Sequence, residues 1–156
     1  MLGNFENYNS NPPNEHEPLV FQLFSLYKEI EKELLNQIHT QNFANLTMVD
    51  IQTLYLIKQS GFYAKNLIKK TGTTKQAVSK NINSLVSRKY LSYVEDKEDA
   101  RAKQILITKK GERLLIEVYS ILKMIESKYE NQIGKFTFVQ LKMNLQKLLS
   151  THSTSN

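Results

Sequence analysis

Apolar residues recur along this chain at two periods, and the change of period divides it into elements. From Leu19 onward, Val20, Leu23, Phe24, Tyr27, Ile30, Leu34 and Ile38 follow at three- and four-residue steps, which places them on one face of a long helix. A connector is expected over about His39 to Leu46. Thr47 is a suitable N-cap for a second helix, with Asp50 in its first turn and Ile51, Leu54 and Tyr55 on its inner face. Gly61 is placed to end it. A short helix is predicted over Tyr63 to Lys70, then a turn at Thr71-Gly72-Thr73, then a helix from the cap Thr74 to about Lys89. The pattern next alternates. Leu91 to Glu95 and Gln104 to Thr108 read as the strands of a β-hairpin, with a charged loop between them. Thr108 caps another long helix with Leu114, Val118, Ile121, Ile125 and Tyr129 on one face. That helix breaks near Gly134, and Thr137 is expected to cap a last helix carrying Phe138, Leu141, Leu145 and Leu148. The predicted class is mainly α with a small β-hairpin wing.

The two ends differ from this pattern. Residues 1–18 hold all three prolines and few apolar groups, and read as a disordered arm. Residues 150–156 are polar and read as a flexible tail. No basic region leads into an apolar stretch at the start, so a signal peptide is not expected. No run approaches the roughly 18–20 apolar residues of a membrane span. The absence of cysteine removes disulfides and thiolate metal sites. A cytoplasmic protein is expected. Low Gly and Pro content with many Lys, Asn and Ile hints at an AT-rich genome.

Charge narrows the class of partner. The net charge is +6, but residues 47–111 hold 13 Lys and Arg against 5 Asp and Glu, while the remainder holds 8 against 10. No acidic residue lies between Ile51 and Val94, a segment that contains Lys58, Lys65, Lys69, Lys70, Lys75, Lys80, Arg88 and Lys89. A merely solvated face mixes both signs; an acid-free one suits a polyanion. Leu67 to Ser79 also has helix-turn-helix spacing, with Gly72 at the tight turn. Ala77 and Val78 are expected to pack this helix on the preceding one. Val78, Ile82, Leu85 and Val86 should be core. Thr73, Thr74, Lys75, Gln76, Ser79, Lys80 and Asn83 should be exposed, where polar side chains meet base edges and phosphates.

Three stretches then carry a resemblance. They are the Gly72 turn with Thr74-Lys75-Gln76-Ala77-Val78-Ser79, the loop Asp96…Asp99-x-Arg101-x-Lys103, and Leu106-x-Thr108-x-x-Gly111. In these the chain resembles the MarR (multiple antibiotic resistance regulator) family of winged helix-turn-helix regulators, over roughly residues 19–149. It departs from the family's pattern at Ile68, where small residues are frequent, at Lys97, where Pro is frequent, and at Tyr90, in the place read as the usual Gly.

The resemblance implies a homodimer on double-stranded DNA. Residues 47–111 would form the DNA-binding lobe, and 19–46 with 112–149 the dimerisation helices. Arg101 would enter the minor groove while Asp99 steadies the wing beside Lys103. Leu19, Leu23, Leu26, Ile30, Leu141, Leu145, Leu148 and Leu149 are the candidates for the dimer interface. The family often takes aromatic effectors in a cleft between the lobes. Phe43, Tyr55, Tyr63 and Tyr119 are the candidates to line it, although the pattern suits ordinary core aromatics better.

No cofactor or metal is expected. His16, His39 and His152 are far apart, and there is no glycine-rich phosphate loop. No catalytic arrangement is suggested, so an enzyme is not expected. The reading is a sequence-specific dimeric transcription regulator, taken as a repressor of a palindromic operator. The alternatives are a non-specific architectural nucleic-acid binder and a winged-helix protein–protein adaptor.

Overall fold

The structure, a computed structural model, describes residues 17–41, 43, 45–60, 68, 72–95 and 103–153. The described residues form five helices and one hairpin: α1 (Leu19–Thr40), α2 (Met48–Ser60), α3 (Lys75–Ser87), β1 (Leu91–Glu95), β2 (Lys103–Ile107), α4 (Lys109–Ile133) and α5 (Lys135–Ser153). The predicted class, mainly α with a small β-hairpin, is the observed one. The short helix predicted over 63–70 lies outside the described residues, Ile68 apart, and so does Gly61.

Side-chain caps set three of the helix starts. Thr47 and Asp50 form a reciprocal box at α2: the Asp50 N–H donates to Thr47 Oγ1 at 3.2 Å and the Thr47 N–H to Asp50 Oδ2 at 2.9 Å. Thr74 accepts from the Ala77 N–H at 3.2 Å, and Thr108 from the Gly111 N–H at 3.2 Å. Thr137 is not a cap. Gly134, with φ +86°, ends α4, and α5 starts at once at Lys135, so that the Phe138 N–H already reaches the Gly134 carbonyl at 3.0 Å. The expected tail also begins too early, because residues 150–153 continue α5. At the other end, α1 takes in His39 and Thr40, which shortens the expected connector.

The hairpin is antiparallel, with Leu91 opposite Ile107, Tyr93 opposite Ile105 and Glu95 opposite Lys103. β2 lies one residue earlier than predicted, which frees Thr108 to cap α4. Leu91 and Ile105 alternate onto the inner face and are buried. The core joins Leu34 and Ile38 of α1, Ile51, Leu54 and Ile57 of α2, Val78, Ile82 and Leu85 of α3, and Leu114, Leu115, Val118, Ile121 and Ile125 of α4. Ile68 packs against it, despite being larger than the residues frequent at that place. Tyr55, expected on the inner face of α2, is 38% exposed. Leu54 and Ile57 fill that face instead.

The apolar stripe of α1 divides in two. Leu34 and Ile38 are fully buried and Ile30 is partly buried, whereas Leu19, Val20, Phe21, Leu23, Phe24, Leu26 and Tyr27 stay exposed. Among the described residues of α5 only Phe138 is buried. α1 packs on α4, and α4 on α5. α2 packs on α3, α4 and β2, and so links the wing and α3 to the long helix.

Candidate nucleic-acid interface

The turn before α3 is built as the sequence predicts. Gly72 has φ +63°, the left-handed region that glycine enters without a Cβ penalty, and its N–H reaches the Ile68 carbonyl at 3.1 Å. Thr74 then caps α3 in an extended conformation. The helix buries Val78, Ile82 and Leu85, with Val86 half-buried. The opposite side presents Thr73, Thr74, Lys75, Gln76, Lys80 and Asn83 to solvent, with Ser79 half-buried beside them. Ala77, expected to pack inward, is exposed, and the 3.6-residue period places Val78 in the core instead.

Asn83 has a partner that the sequence did not suggest. The Tyr93 hydroxyl of β1 donates to Asn83 Oδ1 at 2.8 Å, which ties the middle of α3 to the wing. Asp99 and Arg101 lie outside the described residues. Lys103 falls in β2, opposite Glu95.

The far end of α3 is locked more heavily. Arg88 donates from Nη2 to Asp50 Oδ1 at 2.8 Å, from Nη1 to the Asn45 carbonyl at 2.8 Å and from Nε to the Ser84 carbonyl at 3.2 Å. Asn81 adds a bond to Asp50 at 2.9 Å. Asp50, 3% exposed, is the buried charged residue of the described structure. Burial works to raise its pKa, but the hydrogen bonds from Arg88 and Thr47 and the charge of Arg88 outweigh it, and the carboxyl sits below its ordinary value. Beyond Arg88, the Tyr90 N–H bonds to the Leu85 carbonyl and the Lys89 N–H to the Val86 carbonyl, each at 2.9 Å. That pair of bonds is a Schellman cap, with Lys89 at φ +64°. Lys110 closes the corner, donating to the Arg88 carbonyl at 3.0 Å with its ammonium 4.2 Å from the Tyr90 ring centre.

The geometry is a capped, basic helix carried on a hairpin wing, and a family model fits that part of the chain. The MarR family model matches residues 44–102. Over those residues the chain is similar to the MarR family. No curated protein matches the chain. Among solved structures, a MepR mutant from a multidrug-resistant Staphylococcus aureus clinical isolate is 28% identical, with a TM-score of 0.66 over 86% of this chain and 98% of that one. MepR is described as a transcription regulator of the multidrug efflux pump MepA. The S. aureus MepR–DNA complex is 23% identical, with a TM-score of 0.66 over 86% of this chain and 96% of that one. Streptococcus pneumoniae FabT in complex with DNA is 16% identical, with a TM-score of 0.75 over 88% and 96%. The last two carry the likeness of fold alone.

The glycine-like backbone position after α3 is Lys89, one residue before the expected Tyr90, which is instead buried. Of the cleft candidates, Tyr55 and Tyr119 meet edge-to-face with ring centres 6.4 Å apart, and the Lys58 ammonium lies 5.9 Å from the Tyr119 ring centre. Both tyrosines are exposed. Phe43 packs against the core, and Tyr63 lies outside the described residues. Of the interface candidates, Leu19, Leu23, Leu26, Leu141, Leu148 and Leu149 are exposed, while Ile30 and Leu145 are half-buried. Among the described residues no helix is long and apolar enough to cross a membrane, and no group of His, Cys, Asp and Glu is gathered to hold a metal ion.

Proposed function

We propose that this chain is a dimeric, sequence-specific transcription regulator, a repressor that binds a palindromic operator through α3 in the major groove and the wing in the minor groove. The observation that carries the reading is the exposed face of α3: Lys75, Gln76, Lys80 and Asn83, with no acid on the helix, behind a cap that aims the helix N-terminus outward. A helix N-terminus with lysines beside it attracts phosphate. Gln76 has the paired donor and acceptor that fit an adenine edge. The DNA complexes of MepR and FabT support the same use of the fold here.

The dimer would rest on the exposed apolar residues of α1 and α5, which leave much greasy surface on a single chain. Tyr55 and Tyr119, with Lys58 beside them, are the candidate contact for an aromatic or anionic effector. Such a ligand would act by favouring one spacing of the two α3 helices.

The test is equilibrium binding to duplex DNA across a salt series. Steep loss of affinity with salt, together with a residual preference for one sequence at about 150 mM, supports the regulator. A specific-to-random ratio near unity points to an architectural binder. No salt-dependent binding at all points to a protein–protein adaptor.

A further inference from the structure

The bonds around Arg88 converge from separate parts of the chain. Asn45, which accepts from Nη1, lies in the connection between α1 and α2 and has φ +61°. Lys110, which donates to the Arg88 carbonyl, lies in the first turn of α4. One lies in the connection from α1 to α2 and the other at the start of α4, the two places where the flanking helices meet the winged unit. Asp50, which accepts from Nη2, begins α2 and also holds Asn81 from the middle of α3. The C-terminal end of α3 is therefore tied to both places at one residue.

Arg88 belongs to the acid-free basic segment, so the simplest reading is one more phosphate contact. The geometry disfavours it. The guanidinium spends Nε, Nη1 and Nη2 on three acceptors inside the protein, and its side chain is 26% exposed. Only a planar fork can hold three such acceptors at once; a lysine ammonium on a flexible stem cannot.

We infer that Arg88 is a positioning residue: it fixes the angle of α3 against α1 and α4, and so sets the separation of the two recognition helices in the dimer. This rests on the dimeric DNA-binding reading above. The lever is long enough to matter. A 13-residue helix is about 20 Å long. A tilt of about 10° about one end moves the other by roughly 3 Å, close to the base-pair rise of about 3.4 Å.

The test uses the site that the wild type selects, with its spacer also shortened and lengthened by one base pair. Affinities of wild type, Arg88→Lys and Arg88→Gln are measured on all three DNAs, with circular dichroism and thermal melting on each protein. Salt slopes are measured for the wild type and Arg88→Gln. The expected wild type prefers its own spacer by about tenfold, while folded Arg88→Lys holds the three spacers within about threefold of one another. Arg88→Gln should keep the wild-type salt slope. A slope lower by about one, with spacer preference intact, would make Arg88 a phosphate contact and overturn the inference. Retained spacer preference in folded Arg88→Lys overturns it too, as does a wild type that is indifferent to spacer. Should Arg88→Gln fail to fold because Asp50 is left unpaired, Arg88→Lys decides. A wild type that selects no palindrome sinks the dimeric reading itself, a different failure.

Discussion

Lys89 occupies a backbone position made for glycine, and its cost should be measurable. At φ +64° a lysine Cβ crowds its own backbone, while glycine does not. Lys89→Gly should raise stability by about 1 kcal/mol, read as a higher denaturant midpoint with an unchanged slope. A lower midpoint would show that the lysine side chain makes up for its strained backbone. Gly111 is the converse case. A Cβ there would stand 2.4 Å from the Tyr90 carbonyl oxygen and 2.7 Å from Ile107 Cγ2, so Gly111→Ala should lower stability by about 1–3 kcal/mol. Asp50 gives a pH signature. Its folded pKa lies below the unfolded value of about 3.9, so its contribution is complete above that value and is lost as pH falls through the folded pKa. Stability should therefore drop below about pH 4, and Asp50→Asn should flatten that acid limb in chemical denaturation. An acid limb of unchanged steepness in the variant would assign it to other carboxylates.

The element on which the proposed function turns is α3, and that reading divides the work along its face. Lys75→Ala and Gln76→Ala should each cost about 1–3 kcal/mol on the cognate site and relax base preference there. Lys80→Ala should weaken every DNA alike and reduce the salt slope by about one. The same loss on every sequence for all three variants would leave α3 as a non-specific phosphate surface. Much of this element was legible in the sequence. Thr74 as cap, Gly72 as turn, and Val78, Ile82 and Leu85 as core follow from local chemistry and period, which act within one helix. The limits of β1 followed from alternation in the same way. What escaped was long-range or conformational. Asp50 read only as an acid in the first turn of α2; its pairing with Arg88 spans 38 residues and leaves no local pattern. The left-handed Lys89 escaped because lysine does not announce positive φ. Thr137 was misread because a threonine after a glycine looks like a cap, although the backbone turned helical two residues earlier. Tyr55 was misplaced because an aromatic beside Leu54 reads as core, whereas it meets Tyr119 at the surface.

At the scale of the whole molecule, the first half of α1 and much of α5 expose large apolar side chains, the surface on which the proposed dimer would form. Leu23 and Leu148 are 38% and 50% exposed. In sedimentation velocity the wild type should run as a dimer, and Leu23→Glu combined with Leu148→Glu should run as a folded monomer with weakened DNA binding. A monomeric wild type would remove the basis for a palindromic site. The α-helical frame itself, with its two long helices and hairpin, was readable from apolar period alone; which apolar residues its own core leaves exposed was not, because a helix stripe looks the same whether its own chain or another would cover it. The central claim is that two α3 helices read one palindrome. It is tested most directly by selecting bound duplexes from a random pool at about 150 mM salt, where non-specific binding is suppressed. The expected result is an inverted repeat with half-sites about one helical turn apart, roughly 34–36 Å centre to centre. Recovery of no motif, or of a single half-site without its inverted copy, would contradict it.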